Sequence, residues 1–215
     1  MDTTGNNSIE DNNIPFSEVT KKKKKHQDKC TPIPPIIYSE EIISNDFFNF
    51  GNIKLNTKWN LWFHHNPTDW TMNGYKIIYS FDTIYNYFKI INNLHMVTSI
   101  KIIDLFFFRE NIDPTWEHPA NANGGCWSIK SSIDLGFDIW RDICNVAVAE
   151  NILKIVNESN LNGCITGITI TNKLMNNIIK IWVSDRKVNN EQFINKDILN
   201  IINSKIIFQV FMPES

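Results

Sequence analysis

The amino-acid sequence predicts an α+β fold, an antiparallel sheet with helices packed over one face. Three observations carry that expectation. Short β-rich runs that alternate apolar and polar residues recur from Lys58 onward, as in "KWNLWFHH" and "NIIKIWVSD". These runs fall in pairs that read as hairpins. Segments with apolar residues at helical spacing separate the pairs, giving the order β-β-α-β-β-α-β-β-α-β.

The elements follow in order. Residues 1 to about 50 are rich in Asn, Asp, Ser, Thr and Pro and contain the run Lys21–Lys25. Such a segment buries too little apolar surface to offset its ordering entropy. It is expected to be a disordered polar tail with a solvated lysine run, and residues 51–215 a single domain. "KWNLWFHH" (58–65) puts Trp59, Leu61 and Phe63 on one face and Trp62 on the other. "YKIIYSF" (75–81) is a second strand. "DTIYNYFKIINNL" is a helix capped by Asp82 or Thr83, with Ile84, Tyr87, Phe88, Ile91 and Leu94 at its spacing. "IKIIDLFFFRE" (100–110) and "CWSIK" (126–130) read as strands joined in a hairpin whose tip is the loop between them. "FDIWRDICNVAVAENILKIV" (137–156) is an amphipathic helix led by Asp138, with Ile139, Ile143, Val146 and Ala147 inward. "CITGITITN" and "NIIKIWVSD" form a hairpin turning near Asn176-Asn177. "NNEQFINKDILNIINS" is a helix, and "KIIFQVF" a last strand.

Composition excludes several function classes. A net charge of −2 gives no global attraction for a polyanion, so any nucleic-acid contact must be local. The four cysteines form no CxxC pair and no ligand-spaced set with His, which suits free thiols in a reducing compartment. No apolar run reaches the length of a membrane span, and no signal peptide is recognisable, so a soluble cytoplasmic protein without membrane contact is expected. His64 and His65 are adjacent strand residues facing opposite ways, and no further ligand set completes a metal site.

The stretch "NIDPTWEHPANANGGCW" (111–127) sets Trp116 beside Glu117 with Pro114 and Pro119 around the pair. Proline on both sides disfavours helix and central strand, so the pair sits on a loop. Trp70, in the Pro- and Gly-containing "HNPTDWTMNG", is a second loop aromatic. Exposed loop aromatics suit the stacking of single nucleic-acid bases. Glu117 as a catalytic acid in sugar hydrolysis would need a second carboxylate at a defined separation, and Asp113 lies across a proline. Binding rather than catalysis is expected, with no cofactor and no metal.

Trp59, Trp62, Trp70, "FDT" (81–83), "PTWE" (114–117), "GGCW" (124–127), Trp140 and Trp182 together form a ladder that resembles eukaryotic translation initiation factor 4E. This is the family that binds the 7-methylguanosine cap of messenger RNA, and the resemblance runs from about Lys58 to Phe211. It implies a curved antiparallel sheet of about eight strands with three helices on the convex face and the cap on the concave side. It implies that Trp70 and Trp116 sandwich the methylated base and that Glu117 binds the guanine edge. Trp127 or Trp182 would line the pocket near the methyl group, and Lys173 and Lys180 would hold the cap phosphates. Two positions depart from the family: Cys126 and Ile178 stand where basic residues are usual. Partners implied are capped mRNA, with 7-methyl-GTP and 7-methyl-GDP as analogues. The resemblance also implies the initiation scaffold factor 4G and repressor proteins, docking a Tyr-x-x-x-x-Leu-hydrophobic helix on a convex face that includes Ile84, Phe88 and Trp140. Phe88 stands where the family usually has Trp. A monomer that recruits mRNA to translation initiation is the first expectation. A cap-binding repressor with altered scaffold contact is the alternative, and a generic single-strand RNA binder is disfavoured by the charge.

Overall fold

The computed structural model describes residues 53–66, 68–94, 104–156 and 159–211. The expected polar tail, the Lys21–Lys25 run and the proposed strand start at Ile100 lie outside them. Strands β1 (Lys54–His64), β2 (Tyr75–Thr83), β3 (Leu105–Arg109), β4 (Gly125–Ser132), β7 (Ile165–Lys173), β8 (Asn176–Val183) and β9 (Ile206–Val210) form one antiparallel sheet in the order β2-β1-β3-β7-β8-β4-β9. Two short strands, β5 (Ile155–Val156) and β6 (Ser159–Asn160), pair apart from it. Helices are α1 (Ile84–Ile91), the four-residue α2 (Pro119–Ala122), α3 (Ile133–Val148) and α4 (Lys196–Ile202). Among the described residues the main sheet has seven strands, the number that the hydrophobic pattern gives, rather than eight.

Period-two alternation divides the sheet into two faces. Trp59, Leu61, Phe107, Trp127, Ile129, Ile168, Ile179 and Ile181 point into the main core, with Tyr87 and Ile91 of α1, Trp140, Ile143 and Ala147 of α3, and Ile198 and Ile202 of α4. Trp62, Phe106, Phe108, Cys126 and Trp182 point the other way and form a smaller cluster with Tyr75 on the face opposite that core. In β3 all five residues are buried, because this central strand is covered on both sides. Gly167 of β7 sits opposite Phe108, where a Cβ would approach the ring to 2.5 Å.

Several expectations are corrected. β3 and β4 do not form a hairpin: β3 pairs with β1 and β7, and β4 with β8 and β9. Two strands stand between them, so the loop from Glu110 to Gly124 spans about 14 Å across the end of the sheet. The third helix, α3, starts at Ile133, earlier than Asp138, and ends at Val148 instead of running to Val156. Its end is a Schellman arrangement: the Asn151 N–H donates to the Val146 carbonyl (3.0 Å) and the Glu150 N–H to the Ala147 carbonyl (3.0 Å). Glu150 takes the left-handed position (φ 52) that glycine usually fills. The last helical segment is split, a single turn over Glu191–Phe193 and then α4 capped by Asn195, whose side chain accepts from the Asp197 N–H. The β7–β8 turn falls at Leu174-Met175, not at Asn176-Asn177, and both turn residues are exposed.

The conformation of Glu150 has a partner that accounts for it. Arg109, at the end of β3, is 7% exposed and uses its whole donor fork. Nη1 and Nη2 donate to the two Glu150 carboxylate oxygens (2.7 and 2.6 Å), Nε to the Ile165 carbonyl (2.6 Å) and Nη2 also to the Asn162 carbonyl (3.0 Å). Nη1 donates to the Thr57 hydroxyl as well, and the guanidinium lies 4.7 Å from the Trp59 ring centre. Deleting one partner strands a buried charge. Arg109→Ala or Glu150→Ala is expected to destabilise the fold by about 3–5 kcal/mol, measured as a lowered urea midpoint with an unchanged slope. Loss of less than about 1 kcal/mol in either variant would mean that the pair is solvated, as surface pairs are.

Candidate functional site

A cleft of about 300 Å³ is lined by Trp70, Tyr75, Phe106, Pro114, Thr115, Trp116, Glu117, Thr169, Thr171, Lys173, Lys180 and Trp182. Its lining includes Phe106, Tyr75 and Trp182 of the smaller cluster, so it lies on the side opposite the main core. The strand register orders its floor. Trp182 pairs with Gly167, Lys180 with Thr169, and Lys173 with Asn176 at the hairpin end. An aromatic floor therefore grades into two ammonium groups two residues or more further along, roughly 7 Å per two-residue step.

Two loops supply the walls. Trp70 lies between β1 and β2 and is 53% exposed; Trp116 lies on the β3–β4 crossing and is 45% exposed. The first loop is tightly drawn in. Asp69 accepts from the Thr71 backbone N–H (2.9 Å) and hydroxyl (2.6 Å), and the Gly74 N–H donates to the Thr71 carbonyl (2.9 Å). A Cβ on Gly74 would come within 1.9 Å of the Asp69 carbonyl oxygen, so only glycine allows that approach. Those bonds from the Thr71 hydroxyl and backbone N–H hold the Asp69 carboxyl below the usual carboxylate range, with burial opposing them. The second loop is held from beneath by Asn121. This residue is fully buried and its amide donates to the carbonyls of Thr115 (2.7 Å) and Asp113 (3.2 Å), flanking Pro114. His118 caps α2 by accepting from the Ala120 N–H (3.2 Å), with Pro119 in its first turn.

Burial, more than charge, acts on the titratable groups in and around the cleft. Burial, with smaller contributions from Glu117, Asp104 and Asp69, pushes the Tyr75 phenol up to about 12, so it stays neutral at any working pH. Burial raises the Asp104 carboxyl, which accepts from the Asn172 N–H (3.0 Å). Burial likewise pushes the Cys126 thiol up, with Lys180 pulling the other way.

The sequence-derived site residues Trp70, Trp116, Glu117, Trp182, Lys173 and Lys180 therefore meet in one cleft. Trp127 does not. It is 2% exposed, belongs to the main core and packs edge-on to Phe208 at 5.0 Å, because its place in β4 has the opposite parity to Cys126. Trp140 is wholly buried on the inner face of α3 and offers no surface to a partner, whereas Phe88 is 44% exposed and Ile84 half-buried. Tyr75, Phe106, Thr169 and Thr171 of the lining, and His64 and Asn121 behind the loops, were missed. Period-two alternation, which puts His64 on the same face as Trp62, was the available signal for one of them.

A family model described as eukaryotic initiation factor 4E matches residues 54–212. The chain belongs to the eukaryotic initiation factor 4E family. Among curated relatives, eukaryotic translation initiation factor 4E of Dictyostelium discoideum is 33% identical over 35% of this chain and 32% of its own length. Factor 4E1 of Drosophila melanogaster is 30% identical over 62% of this chain and 50% of its own. The chain thus spans between about a third and a half of those two relatives. Two solved structures share the initiation factor 4E fold. Ascaris suum eIF4E-3, in complex with an m7G cap, aligns with a TM-score of 0.64 at 17% identity over 75% of this chain and 93% of its own. Schistosome eIF4E, in complex with m7GpppG and 4E-BP, aligns with a TM-score of 0.61 at 20% identity over 73% and 87%.

The close approach at Gly74 generates a prediction. Gly74→Ala is expected to displace the Trp70 loop while leaving the core intact. Protease nicking within residues 66–74 would rise with little change in thermal midpoint; an unchanged digestion pattern would show that the loop absorbs the methyl group.

Proposed function

We propose that this chain binds the 7-methylguanosine cap of mRNA and brings capped mRNA to translation initiation through a scaffold protein. One observation carries the proposal: two half-exposed tryptophans from separate loops, a glutamate beside one of them and two lysines beyond line one cleft of nucleotide size. Methylation at the seventh ring position gives guanine a positive charge, and Trp70 and Trp116 then add cation–π attraction to stacking. Stacking contributes roughly 1–3 kcal/mol per aromatic. The guanine edge presents a ring N–H and an exocyclic amine side by side, and both Glu117 oxygens accept from them. Adenine lacks that donor pair and leaves Glu117 unmatched. Lys173, at a position where the family carries a phosphate-binding basic residue, and Lys180, two residues beyond Ile178 on the same strand face, take the phosphates. This is equilibrium recognition, with no bond made or broken. Membership in the family and the cap-bound relatives support the same reading.

On the helix side, Phe88 and Tyr85 of α1 are exposed and Ile84 is half-buried, a surface suited to an amphipathic helix. Capture of 4E-binding proteins by solved relatives supports a partner of this kind. Phenylalanine in place of tryptophan at 88 keeps open the second reading, a cap-binding repressor with altered scaffold contact.

Tryptophan fluorescence quenching is expected to give 7-methyl-GDP at least tenfold tighter binding than GDP, about 1.4 kcal/mol; equal affinities would sink the cap proposal. Glu117→Ala is expected to abolish retention on a cap resin. Lys173→Ala with Lys180→Ala is expected to weaken 7-methyl-GTP strongly and 7-methylguanosine little, and an equal loss for both would remove the lysines from the phosphate role. Phe88→Ala is expected to cost about 1–2 kcal/mol in binding a Tyr-x-x-x-x-Leu-hydrophobic peptide. Unchanged peptide affinity would move the partner site elsewhere.

A further inference from the structure

The ring beneath Trp70 is His64. Their centroids are 4.3 Å apart at an interplanar angle of 35°, and on its other side His64 lies 4.6 Å from Tyr75. Tyr75 meets Phe106 edge-on at 5.1 Å, so a column of rings runs from the exposed indole down to the sheet. The imidazole is only 5% exposed. Its Nε2 lies 2.8 Å from the carbonyl oxygen of Asp69, the residue immediately before Trp70. A carbonyl only accepts, so Nε2 is the protonated nitrogen and donates. One side chain thus grips the backbone leading into Trp70 and also supports one face of its indole.

The other ring nitrogen makes the choice of histidine informative. Nδ1 is buried with no hydrogen-bond partner. A phenylalanine would fill the same slot without that penalty, but it could not hold the Asp69 carbonyl. Polar and ring properties are both in use, and both act on Trp70. Gly74 completes the arrangement, since a Cβ there would meet the Asp69 oxygen at 1.9 Å and His64 Nε2 at 3.1 Å.

We propose that His64 is a positioning residue for ligand recognition: it fixes the plane of Trp70 so that the opposite indole face is presented ready-made to the methylated base. This rests on the cap-binding proposal. The affinity effect is one of preorganisation, since an indole on an unsupported loop must be ordered at the moment of binding.

The test is a double-mutant cycle read by 7-methyl-GDP affinity, with thermal midpoints recorded for every variant. His64→Ala is expected to weaken 7-methyl-GDP about tenfold while the midpoint still reports a folded protein. His64→Phe, which restores the ring face but not the donor, is expected to recover part of that loss. In a Trp70→Ala background, His64→Ala is expected to cause no further loss, because the indole it positions is gone. A merely structural contribution would give equal losses in both backgrounds, and that result overturns the proposal. So does native affinity in His64→Ala. If His64→Ala does not fold, His64→Gln replaces it in the cycle with the same two outcomes. A native protein that does not distinguish 7-methyl-GDP from GDP overturns the cap proposal and this one with it. A native protein that does, together with an additive cycle, overturns only the role of His64.

Discussion

The guanidinium of Arg109 is the junction on which the rest of the structure depends. It stands at the end of β3, a strand buried on both faces. From there it reaches Thr57 of β1, the Asn162 carbonyl, the first residue of β7 and the carboxylate at the end of α3. These are the pieces that must agree if the helices are to cover one face and leave the other open. The left-handed backbone at Glu150 costs of order 1 kcal/mol for a residue with a side chain. A bidentate, nearly dry ion pair offsets that cost and sets where α3 stops.

The same device recurs in smaller form at the cleft. A buried polar side chain with its donors aimed at backbone carbonyls anchors each loop of the cleft, Asn121 under Trp116 and His64 under Trp70. Neither loop has a sheet ladder to hold it, so side chains join local turn bonds in satisfying its backbone groups. The walls of the cleft are therefore rigid through hydrogen bonding, whereas its floor is rigid through packing of Phe106, Phe108 and Trp182.

Much of this was legible in the sequence. Alternation gave the two faces of β1 correctly, with Trp59 and Leu61 on one side and Trp62 on the other. Prolines around Trp116 identified the loop, and Thr83 capped α1 as expected. Strand partnership was not legible, because local pattern carries no record of which strand lies beside which. The supposed β3–β4 hairpin failed for that reason. Trp127 was misplaced through its parity, one residue from a cleft-facing position, and Trp140 through its helix face. Loop anchors such as Asn121 were invisible, since their role exists only once distant carbonyls converge on them.

The strand order β3-β7-β8-β4 has a consequence for how the molecule comes to exist. The two central strands arise later in synthesis than both of their neighbours. The sheet cannot zip up in the order in which the ribosome delivers it. β4 has to wait, with its Trp-bearing loop unclosed, until a hairpin made some forty residues later slots in beside β3. The cleft is incomplete until Lys173 and Lys180 arrive on that hairpin, so a nascent chain that already carries both Trp70 and Trp116 still lacks the floor between them.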